Sequence, residues 1–142
     1  MSLTKNPILI IDDDQDDLEI VVTALIDLKL PNALITFNDP EEFILYLKSM
    51  DKSPFFIISD FNMPKMNGLQ LRKQIVAHPD LKFRSVPFII WSTSAVEEHV
   101  RLAYDNLIQG YFEKPSSLRD VQTRLSAIIE YWKYSLHPKQ AN

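Results

Sequence analysis

The feature that most constrains the fold is an alternation of short apolar runs with segments of helical periodicity. The run "ILII" at Ile8–Ile11 is continuously apolar, which is typical of a strand covered on both faces. Similar apolar runs occur at residues 33–37, 55–58, 86–91 and 110–112, each followed by a helical pattern. Five such pairs predict an α/β fold with parallel strands joined by right-handed crossovers. In the first helix, one face would carry Leu18, Val21, Val22, Leu25 and Ile26.

The chain length decides between the two kinds of sheet that such a series can form. A closed eight-stranded barrel needs about 200 residues or more, and this chain has 142. We therefore expect an open, doubly wound sheet of five strands with helices on both faces. No linker or repeat divides the sequence, so residues 1–142 are expected to form one domain, with its core at about residues 6–134. The tail from His137 has no pattern that predicts order.

Several helix boundaries are marked by capping residues. Asp39 followed by Pro40 predicts the start of the second helix. Ser94 with Glu97 has the form of a capping box for the fourth helix, and Ser117 is expected to cap the fifth. The apolar stripe of the fourth helix would be Val96, Val100, Ala103 and Leu107, and that of the fifth Leu118, Val121, Leu125, Ile128 and Trp132.

Composition excludes several classes of site and partner. The chain has no cysteine, so disulfides, thiolate chemistry and cysteine–zinc sites are ruled out. Its three histidines are scattered, so each is expected at the surface rather than in a metal site. A net charge of −4 without a Lys/Arg cluster argues against a nucleic-acid partner. With no apolar span of about 18 residues and no N-terminal signal core, we expect a cytoplasmic protein with no membrane partner.

Polar residues close the predicted strands, at the edge of a parallel sheet where ligands bind. The first strand ends in Asp12 and Asp13, and the third ends in Asp60. The fourth strand ends in Ser92, and Lys114 follows the fifth. We therefore expect three carboxylates, a hydroxyl and an ammonium group to share one rim of the sheet.

The charges at this rim predict a bound metal ion. Like charges about 4 Å apart repel by roughly 4 kcal/mol at an effective dielectric near 20, and Lys114 neutralises only one of the three carboxylates. A divalent cation would balance the remainder, and oxygen ligands favour Mg²⁺, with Mn²⁺ as a substitute. Beside a metal, an ammonium and a hydroxyl, Asp60 is equipped to attack phosphorus and form an aspartyl phosphate. The sharp turn after it would bring a carbonyl, that of Asn62, to the metal.

Each of these residues also has an ordinary structural explanation. Asp13 or Asp14 could cap the first helix, the hydroxyl residue could merely end a strand, and a lone Lys114 is most often a solvated surface residue. Their combination at corresponding ends of different strands favours a functional site. Asp14, Asp16 and Asp17 are interpreted as solvent-facing charges of the first helical turn, which suit the helix dipole.

Four segments at these strand ends resemble the motifs of response-regulator receiver domains of two-component signalling. They are "ILIIDDD", "IISDFNMPKMNG", "PFIIWS" and "GYFEKP", and the resemblance covers nearly the whole chain. It implies a stand-alone receiver domain similar to the chemotaxis regulators. It also implies a flavodoxin-like fold with the strand order 2-1-3-4-5.

The resemblance implies an acceptor and a metal site. Asp60 matches the aspartate that is phosphorylated in the family. Asp12 and Asp13 match the acidic pair that binds Mg²⁺, with Asp13 as the direct ligand. Asp60 and the backbone carbonyl of Asn62 would complete this metal site.

The resemblance also implies a set of residues that respond to the phosphoryl group. Ser92 matches the switch hydroxyl residue, and Tyr111 matches the aromatic residue that changes rotamer on activation. Lys114 matches the lysine that senses the phosphoryl group. The peptide bond between Lys114 and Pro115 would be cis.

The implied function is a signalling switch rather than an enzyme, apart from its own phosphorylation and dephosphorylation. A histidine kinase or a phosphotransfer protein would donate the phosphoryl group to Asp60. The surface of the fourth helix, fifth strand and fifth helix, at residues 96–107 and 110–132, would then bind a downstream protein or a second copy of the chain. One or two rings among Tyr131, Trp132 and Tyr134 would be exposed there.

Some positions depart from the commonest pattern of the family. Asn67 stands where Asp is frequent, in a turn that mainly needs the following Gly68. Thr93 stands where Ala is common, which would narrow access to the phosphoryl group. Asn62 and Ser94 occupy the two positions that tune phosphate hydrolysis in the family.

Three other functions share features with this sequence. A haloacid-dehalogenase-like phosphatase also pairs an aspartate nucleophile with Mg²⁺, but it needs Thr or Val where this chain has Asp16. A pseudo-receiver, which binds partners without phosphorylation, would not need the complete acceptor site. A flavodoxin-like electron carrier would need a loop rich in Ser, Thr and Gly after the first strand, where this chain is acidic.

Overall fold

The computed structural model describes residues 5–79, 81, 83 and 85–137. Over this part of the chain, five strands alternate with five helices, as the sequence predicts. No helix within these ranges is long and apolar enough to cross a membrane. The strands are β1 (Ile8–Ile11), β2 (Leu34–Phe37), β3 (Phe56–Ser59), β4 (Phe88–Ser92) and β5 (Gly110–Glu113). The helices are α1 (Gln15–Asp27), α2 (Pro40–Ser49), α3 (Gly68–Ala77), α4 (Glu97–Asp105) and α5 (Leu118–Tyr134).

All five strands pair in parallel in the order β2-β1-β3-β4-β5, which confirms the predicted flavodoxin-like topology. Ile11 at the end of β1 lies beside Phe37 and Ser59 in the register. Ser92 at the end of β4 lies beside Glu113. The carboxyl ends of these strands therefore meet at one edge of the sheet, and the loops that follow them carry the candidate site.

The core has two layers, one on each face of the sheet, because alternate strand residues point to opposite faces. Ile8 and Ile10 pack with α1 and α5, whereas Leu9 and Ile11 pack with α2, α3 and α4. All four residues of β1 are at most 1% exposed. Burial on both faces explains why the run is continuously apolar.

Four of the helices begin at a side-chain cap. Asp14 accepts hydrogen bonds from two backbone N–H groups of α1, so it is the cap that the sequence left open between Asp13 and Asp14. Asp39 and Ser117 cap α2 and α5 as predicted. Asn67 caps α3 in a capping box, which gives this departure from the family pattern a structural purpose.

Helix α4 begins differently from the prediction. It starts at Glu97, and its N-cap residue, Val96, makes no side-chain hydrogen bond, so the predicted cap at Ser94 is wrong. The Ser94 N–H donates to Ser92 Oγ at 3.0 Å, and the Ser94 carbonyl accepts from the Tyr111 hydroxyl at 2.8 Å. These hydrogen bonds hold Ser94 in the loop between β4 and α4.

The apolar faces of three helices are narrower than the periodicity predicts. Ile26 of α1 is 61% exposed, and Leu118 of α5 is 46% exposed. Ala103 is the buried residue of α4, whereas Val96 and Leu107 at its two ends are exposed. Only the side chains that point at the strands are covered, and those at the margins of each stripe face solvent.

The turn from α4 to β5 is held by Arg72 of α3 and by Gln109 within the turn. Leu107 has a φ of 67°, a left-handed conformation that is uncommon for a non-glycine residue. Its carbonyl accepts hydrogen bonds from Arg72 Nη2 at 2.7 Å and from Gln109 Nε2 at 2.9 Å. Arg72 belongs to α3 and is buried, with its guanidinium 5.3 Å from the centre of the Phe88 ring. The C-terminal end of α4 is therefore fastened to α3 and to the sheet.

The chain after α5 packs against the sheet at His137, contrary to the prediction for this tail. The His137 ring stacks on the Phe55 ring with 5.2 Å between centroids, and its Nε2 donates to the Phe55 carbonyl at 2.8 Å. The centroid of the Trp132 ring lies 5.6 Å from that of the His137 ring. Residues 138–142, the rest of the predicted tail, lie outside the described residues.

Candidate functional site at the carboxyl edge of the sheet

The site is built on the sharp turn between β3 and α3. Asp60 directly follows β3, and its N–H donates to the Ile11 carbonyl at 2.9 Å. Gly68 begins α3, and its N–H donates to the Phe61 carbonyl at 2.8 Å. A Cβ atom on Gly68 would lie 2.5 Å from the Asp60 carbonyl oxygen, which is closer than any side chain can approach. The backbone of Asp60 is therefore fixed between β1 and α3.

Three carboxylates meet beside this turn. Oxygen atoms of Asp12, Asp13 and Asp60 all lie within 4.8 Å of one another. Asp12 and Asp60 are buried, whereas Asp13 is exposed. Asp12 Oδ1 also accepts the backbone N–H of Asp14 at 2.9 Å, which orients its carboxylate. The structure thus brings together the three acids that the sequence led us to expect at one rim.

Lys114 reaches from the end of β5 into this acidic group. Its Nζ lies 2.9 Å from Asp12 Oδ2 and 3.1 Å from Asp60 Oδ1. The same Nζ lies 2.8 Å from Asp17 Oδ2, in the first turn of α1. The interpretation of Asp17 as a purely solvent-facing charge is therefore wrong. Nothing in the local pattern pointed to this contact, because the two residues are 97 positions apart in the sequence.

Burial and charge crowding shift the pKa values of these groups. Burial, followed by repulsion from Asp12, raises the pKa of Asp60 to about 6. Burial also raises the pKa of Asp12, although the Asp14 N–H and Lys114 act in the opposite direction. Burial disfavours the charged form of Lys114, but its ion pairs with Asp17 and Asp12 outweigh burial and raise its pKa. The acids outnumber the lysine, so a bound cation would relieve the excess negative charge.

The donor groups at this edge fit a hard divalent cation. Asp13 and Asn62 line the same polar cavity, which has a volume of about 620 Å³. Both oxygens of Asp12 already accept hydrogen bonds, from Asp14 and Lys114, which leaves Asp13 as the more accessible ligand. Carboxylate and carbonyl oxygens are the ligands that Mg²⁺ and Mn²⁺ prefer. The residues present therefore fit such an ion by both charge and chemistry.

Ser92 and Tyr111 connect this edge to the loop before α4. Ser92 is fully buried at the end of β4, and its Oγ accepts the Ser94 N–H. Burial raises the pKa of Tyr111, while a hydrogen bond with the Ser92 side chain acts to lower it. Tyr111 also donates to the Ser94 carbonyl. Any movement of Ser92 would therefore alter the support of both Ser94 and Tyr111.

A stacked pair of rings joins the acceptor turn to α4. Phe61 follows Asp60, and its ring lies 4.8 Å from the His99 ring with an interplanar angle of 16°. His99 Nδ1 lies 3.3 Å from Ser94 Oγ. His99 was expected as a surface residue without a role, and the local sequence does not indicate its stacking partner in the loop after β3.

The peptide bond between Lys114 and Pro115 differs from the expectation. No peptide bond among the described residues is cis, so this bond is trans and the predicted cis isomer is wrong. Trans is the intrinsically favoured isomer of an X–Pro bond by about 0.5–1 kcal/mol. The Lys114 N–H also donates to the Ser92 carbonyl at 2.7 Å, which fixes the backbone entering this bond.

Known proteins share both the sequence and the fold of this chain. Response regulator Rcp1 of Synechocystis is 27% identical over 140 residues, covering 93% of this chain and 94% of Rcp1. Chemotaxis protein CheY-3 of Vibrio cholerae is 32% identical over 130 residues, covering 90% of this chain and 95% of CheY-3. The phosphorylated cyanobacterial phytochrome response regulator RcpA has a TM-score of 0.81 at 26% identity, covering 94% of this chain and 98% of RcpA. A Mn²⁺-bound form of Rcp1 has a TM-score of 0.77 at 25% identity, covering 93% and 98% of the two chains.

The match to a family model gives the same assignment. Residues 8–126 match the response regulator receiver domain, and this range includes all five strands and about the first half of α5. Proteins of this kind are signalling proteins that bind Mg²⁺ or Mn²⁺ at an acidic pocket and interact with histidine kinases and downstream targets. Because the match covers most of the chain and agrees with the fold and with the acidic edge, this protein belongs to the response regulator receiver domain family.

Proposed function

We propose that this protein is a phosphorylation-dependent switch whose acceptor is Asp60. The observation that carries the proposal is the 3.1 Å contact between Asp60 Oδ1 and Lys114 Nζ, in a group that includes Asp12 and Asp13. A carboxyl group with its pKa raised to about 6 is still mostly ionised at neutral pH, so Asp60 remains a nucleophile there. The raised pKa also reflects crowding that a cation can relieve.

In the proposed reaction, a carboxylate oxygen of Asp60 attacks the phosphorus of a phosphohistidine. The P–N bond breaks, the leaving imidazole takes up a proton, and an acyl phosphate forms on Asp60. Lys114 donates a hydrogen bond to one phosphoryl oxygen, and the Ser92 hydroxyl donates a hydrogen bond to another. These hydrogen bonds stabilise charge that is greater on the phosphoryl group than on the carboxylate it replaces.

The same proposal includes a Mg²⁺ site formed by Asp12, Asp13, Asp60 and the Asn62 carbonyl, with Asp13 as the direct ligand. When bound, Mg²⁺ supplies positive charge that neutralises the carboxylates and the phosphoryl oxygens. Asp12 keeps its hydrogen bond to Lys114 and so holds the ammonium next to the acceptor. The Mn²⁺-bound form of the related Rcp1 supports this part of the proposal.

Output would pass from Ser92 to the surface formed by α4, β5 and α5. When Ser92 turns towards the phosphoryl group, its hydrogen bond with Ser94 is lost and Tyr111 can change rotamer. Phosphorylation would thereby shift an existing equilibrium between two packings of this surface. Tyr104 and Tyr131 are exposed on it and line a groove of about 480 Å³ together with Tyr111.

The partners follow from the same chemistry. The phosphodonor would be a histidine kinase or a phosphotransfer protein, and the receiver of the signal would be a protein bound at the α4–β5–α5 surface. The same surface would also serve to form a homodimer. We also propose that residues 1–142 form one receiver domain, because all five strands of the described residues belong to a single sheet.

Phosphorylation is tested by incubating the protein with acetyl phosphate and Mg²⁺ and measuring its intact mass. We expect one added phosphoryl group on the wild type, none without Mg²⁺ and none on Asp60→Asn. Asp51→Asn, a change of an exposed aspartate outside the site, is the matched control and should be labelled normally. Continuous turnover of a generic phosphomonoester would instead favour a phosphatase, and the absence of any label would favour a pseudo-receiver.

The proposed switch is tested by adding beryllofluoride and Mg²⁺ and recording tryptophan fluorescence. Trp91 is 2% exposed and is followed by Ser92, so a movement of Ser92 should change its emission, which is recorded in a Trp132→Phe background that removes the other tryptophan of the chain. Asp60→Asn should abolish the change. A flat signal from the wild type would contradict movement at this strand.

A further inference from the structure

The Lys114 ammonium donates hydrogen bonds to two carboxylates and forms an ion pair with a third. Nζ lies 2.8 Å from Asp17 Oδ2, 2.9 Å from Asp12 Oδ2 and 3.1 Å from Asp60 Oδ1. Lysine presents three donors on a rotating ammonium group, so two fixed acceptors determine the direction of the third. Here the two shorter contacts are to Asp12 and Asp17, and the longer one is to the proposed acceptor.

Asp17 stands on a rigid part of the molecule. Asp14 caps α1 and accepts hydrogen bonds from the backbone N–H groups of Asp16 and Asp17. The next residue, Leu18, is buried against the sheet. The Lys114 side chain is 9% exposed and that of Asp17 is 34% exposed, so solvent screens this ion pair only in part. The first turn of α1 therefore presents Asp17 to the lysine in a fixed position.

We propose that Asp17 is a positioning residue that aims the third N–H of Lys114 at the acceptor. This inference rests on the proposed phosphorylation of Asp60. Asp12 and Asp17 accept two N–H groups of Lys114 and hold the ammonium 3.1 Å from Asp60 Oδ1, so the third N–H is available to a phosphoryl oxygen on Asp60. A hydrogen-bond donor that is already oriented stabilises the transition state more than one that must first be ordered.

The chain offers a matched control for this role. Asp16 precedes Asp17, lies in the same first turn of α1 and is exposed. Asp16→Asn changes the net charge and the helix-dipole interaction as much as Asp17→Asn does, but it leaves the contact with Lys114 in place. A comparison of the two variants therefore separates the positioning of Lys114 from a general effect of charge.

The experiment measures the rate of phosphorylation against acetyl phosphate concentration, with saturating Mg²⁺, for the wild type, Asp17→Asn and Asp16→Asn. We expect the maximal rate of Asp17→Asn to fall about tenfold, the usual scale for weakening one charge-assisted hydrogen bond in a transition state. The half-saturating concentration should change little, because Asp17 acts on the step after binding. Asp16→Asn should behave like the wild type in both respects.

A second measurement removes the dependence on a phosphodonor. Beryllofluoride with Mg²⁺ mimics the phosphoryl group and needs the same N–H of Lys114, so its affinity should fall about tenfold in Asp17→Asn and stay unchanged in Asp16→Asn. Unchanged rates and affinity in Asp17→Asn would overturn the inference, as would equal losses in both variants. Failure of the proposed function has a different signature, because the wild type itself would then remain unlabelled or Asp60→Asn would be labelled.

Discussion

Helix α1 buries Leu18, Val21, Ala24 and Leu25 against the sheet and begins at a side-chain cap, whereas α4 buries Ala103 and begins without one. Both helices follow strands that carry residues of the candidate site. The α1 side supplies Asp12 and Asp13 and, through Asp17, a support for Lys114. The α4 side supplies Ser92 and the loop that depends on it. The acids and Lys114, which must keep their geometry, are thus supported by the well-packed helix α1. The residues proposed to move lie next to the less well packed helix α4.

This difference predicts where the domain can tolerate a loss of packing. Leu25→Ala, at a position 1% exposed in α1, should lower the free energy of unfolding by about 2–5 kcal/mol because it leaves a cavity. Leu102→Ala, at a position 42% exposed in α4, should lower it by less than about 1 kcal/mol. Urea denaturation of both variants measures the contrast. Equal losses would show that α4 is as firmly held as α1.

The three clustered acids, two of which precede α1, should cost stability when no cation is present. The pKa of Asp60 is about 6 in the folded protein, whereas the ordinary pKa of an aspartate side chain is 3.8, so the folded state holds this proton more tightly than the unfolded chain does. Stability should therefore fall as pH rises from about 4 to 6 and stay lower above that range. Asp60→Asn should raise the free energy of unfolding at pH 7 by about 2 kcal/mol without divalent cations, and by little at pH 3.5.

Urea denaturation with and without Mg²⁺ measures whether Asp60→Asn is more stable than the wild type at pH 7. Mg²⁺ should stabilise the wild type but not Asp60→Asn, which narrows the gap between them. Asp51→Asn, at an exposed position, should show neither effect. A less stable Asp60→Asn at pH 7 would contradict the proposed crowding.

The caps of the two helices provide a smaller contrast. Asp14→Ala removes a carboxylate that accepts two backbone N–H groups, so we expect a loss of about 1 kcal/mol in the free energy of unfolding. Val96→Ala, at the uncapped start of α4, should change it by only a few tenths of a kcal/mol. Thermal or urea denaturation measures both, and equal losses would mean that capping does not distinguish these helices.

The smallest expected effect is a gain in α4. Val96 is 53% exposed and has extended backbone angles of φ −62° and ψ 126°, as an N-cap residue requires. Val96→Ser should supply the missing side-chain acceptor and stabilise α4 by about 0.5–1 kcal/mol. Hydrogen exchange of the α4 amides should slow, while exchange in α1 should not change. Unaltered exchange in α4 would indicate that the helix start is not its weak point.

The centre of the sheet was predictable because β1, β3 and β4 are buried on both faces, which requires a nearly continuous apolar run in each. β1 has the predicted bounds, whereas β3, β4 and β5 extend to Ser59, Ser92 and Glu113. Backbone pairing in a parallel sheet continues beyond the last apolar side chain, so polarity marked these ends one residue early. The strand ends then indicated which side chains would meet, because the carboxyl ends of parallel strands share one edge.

Several of the missed features depend on contacts between distant parts of the chain. Ser94 looks like a helix cap locally, but Ser92 and Tyr111 engage it first. Asp17 meets Lys114, and His137 meets Phe55, only after the helices have been placed on the sheet. Propensity and periodicity describe neighbours in sequence, so they carry no information on such pairs.

The fastening of Leu107 has a mechanical consequence for α4. Its carbonyl is held by Arg72 and Gln109, so one end of the helix is tethered while the other has no cap. We expect α4 to rotate as a rigid body about a hinge near Leu107, with the largest displacement near Glu97. Amide protection should accordingly increase along the helix from Glu97 towards Asp105, and a uniform profile would rule out such a hinge.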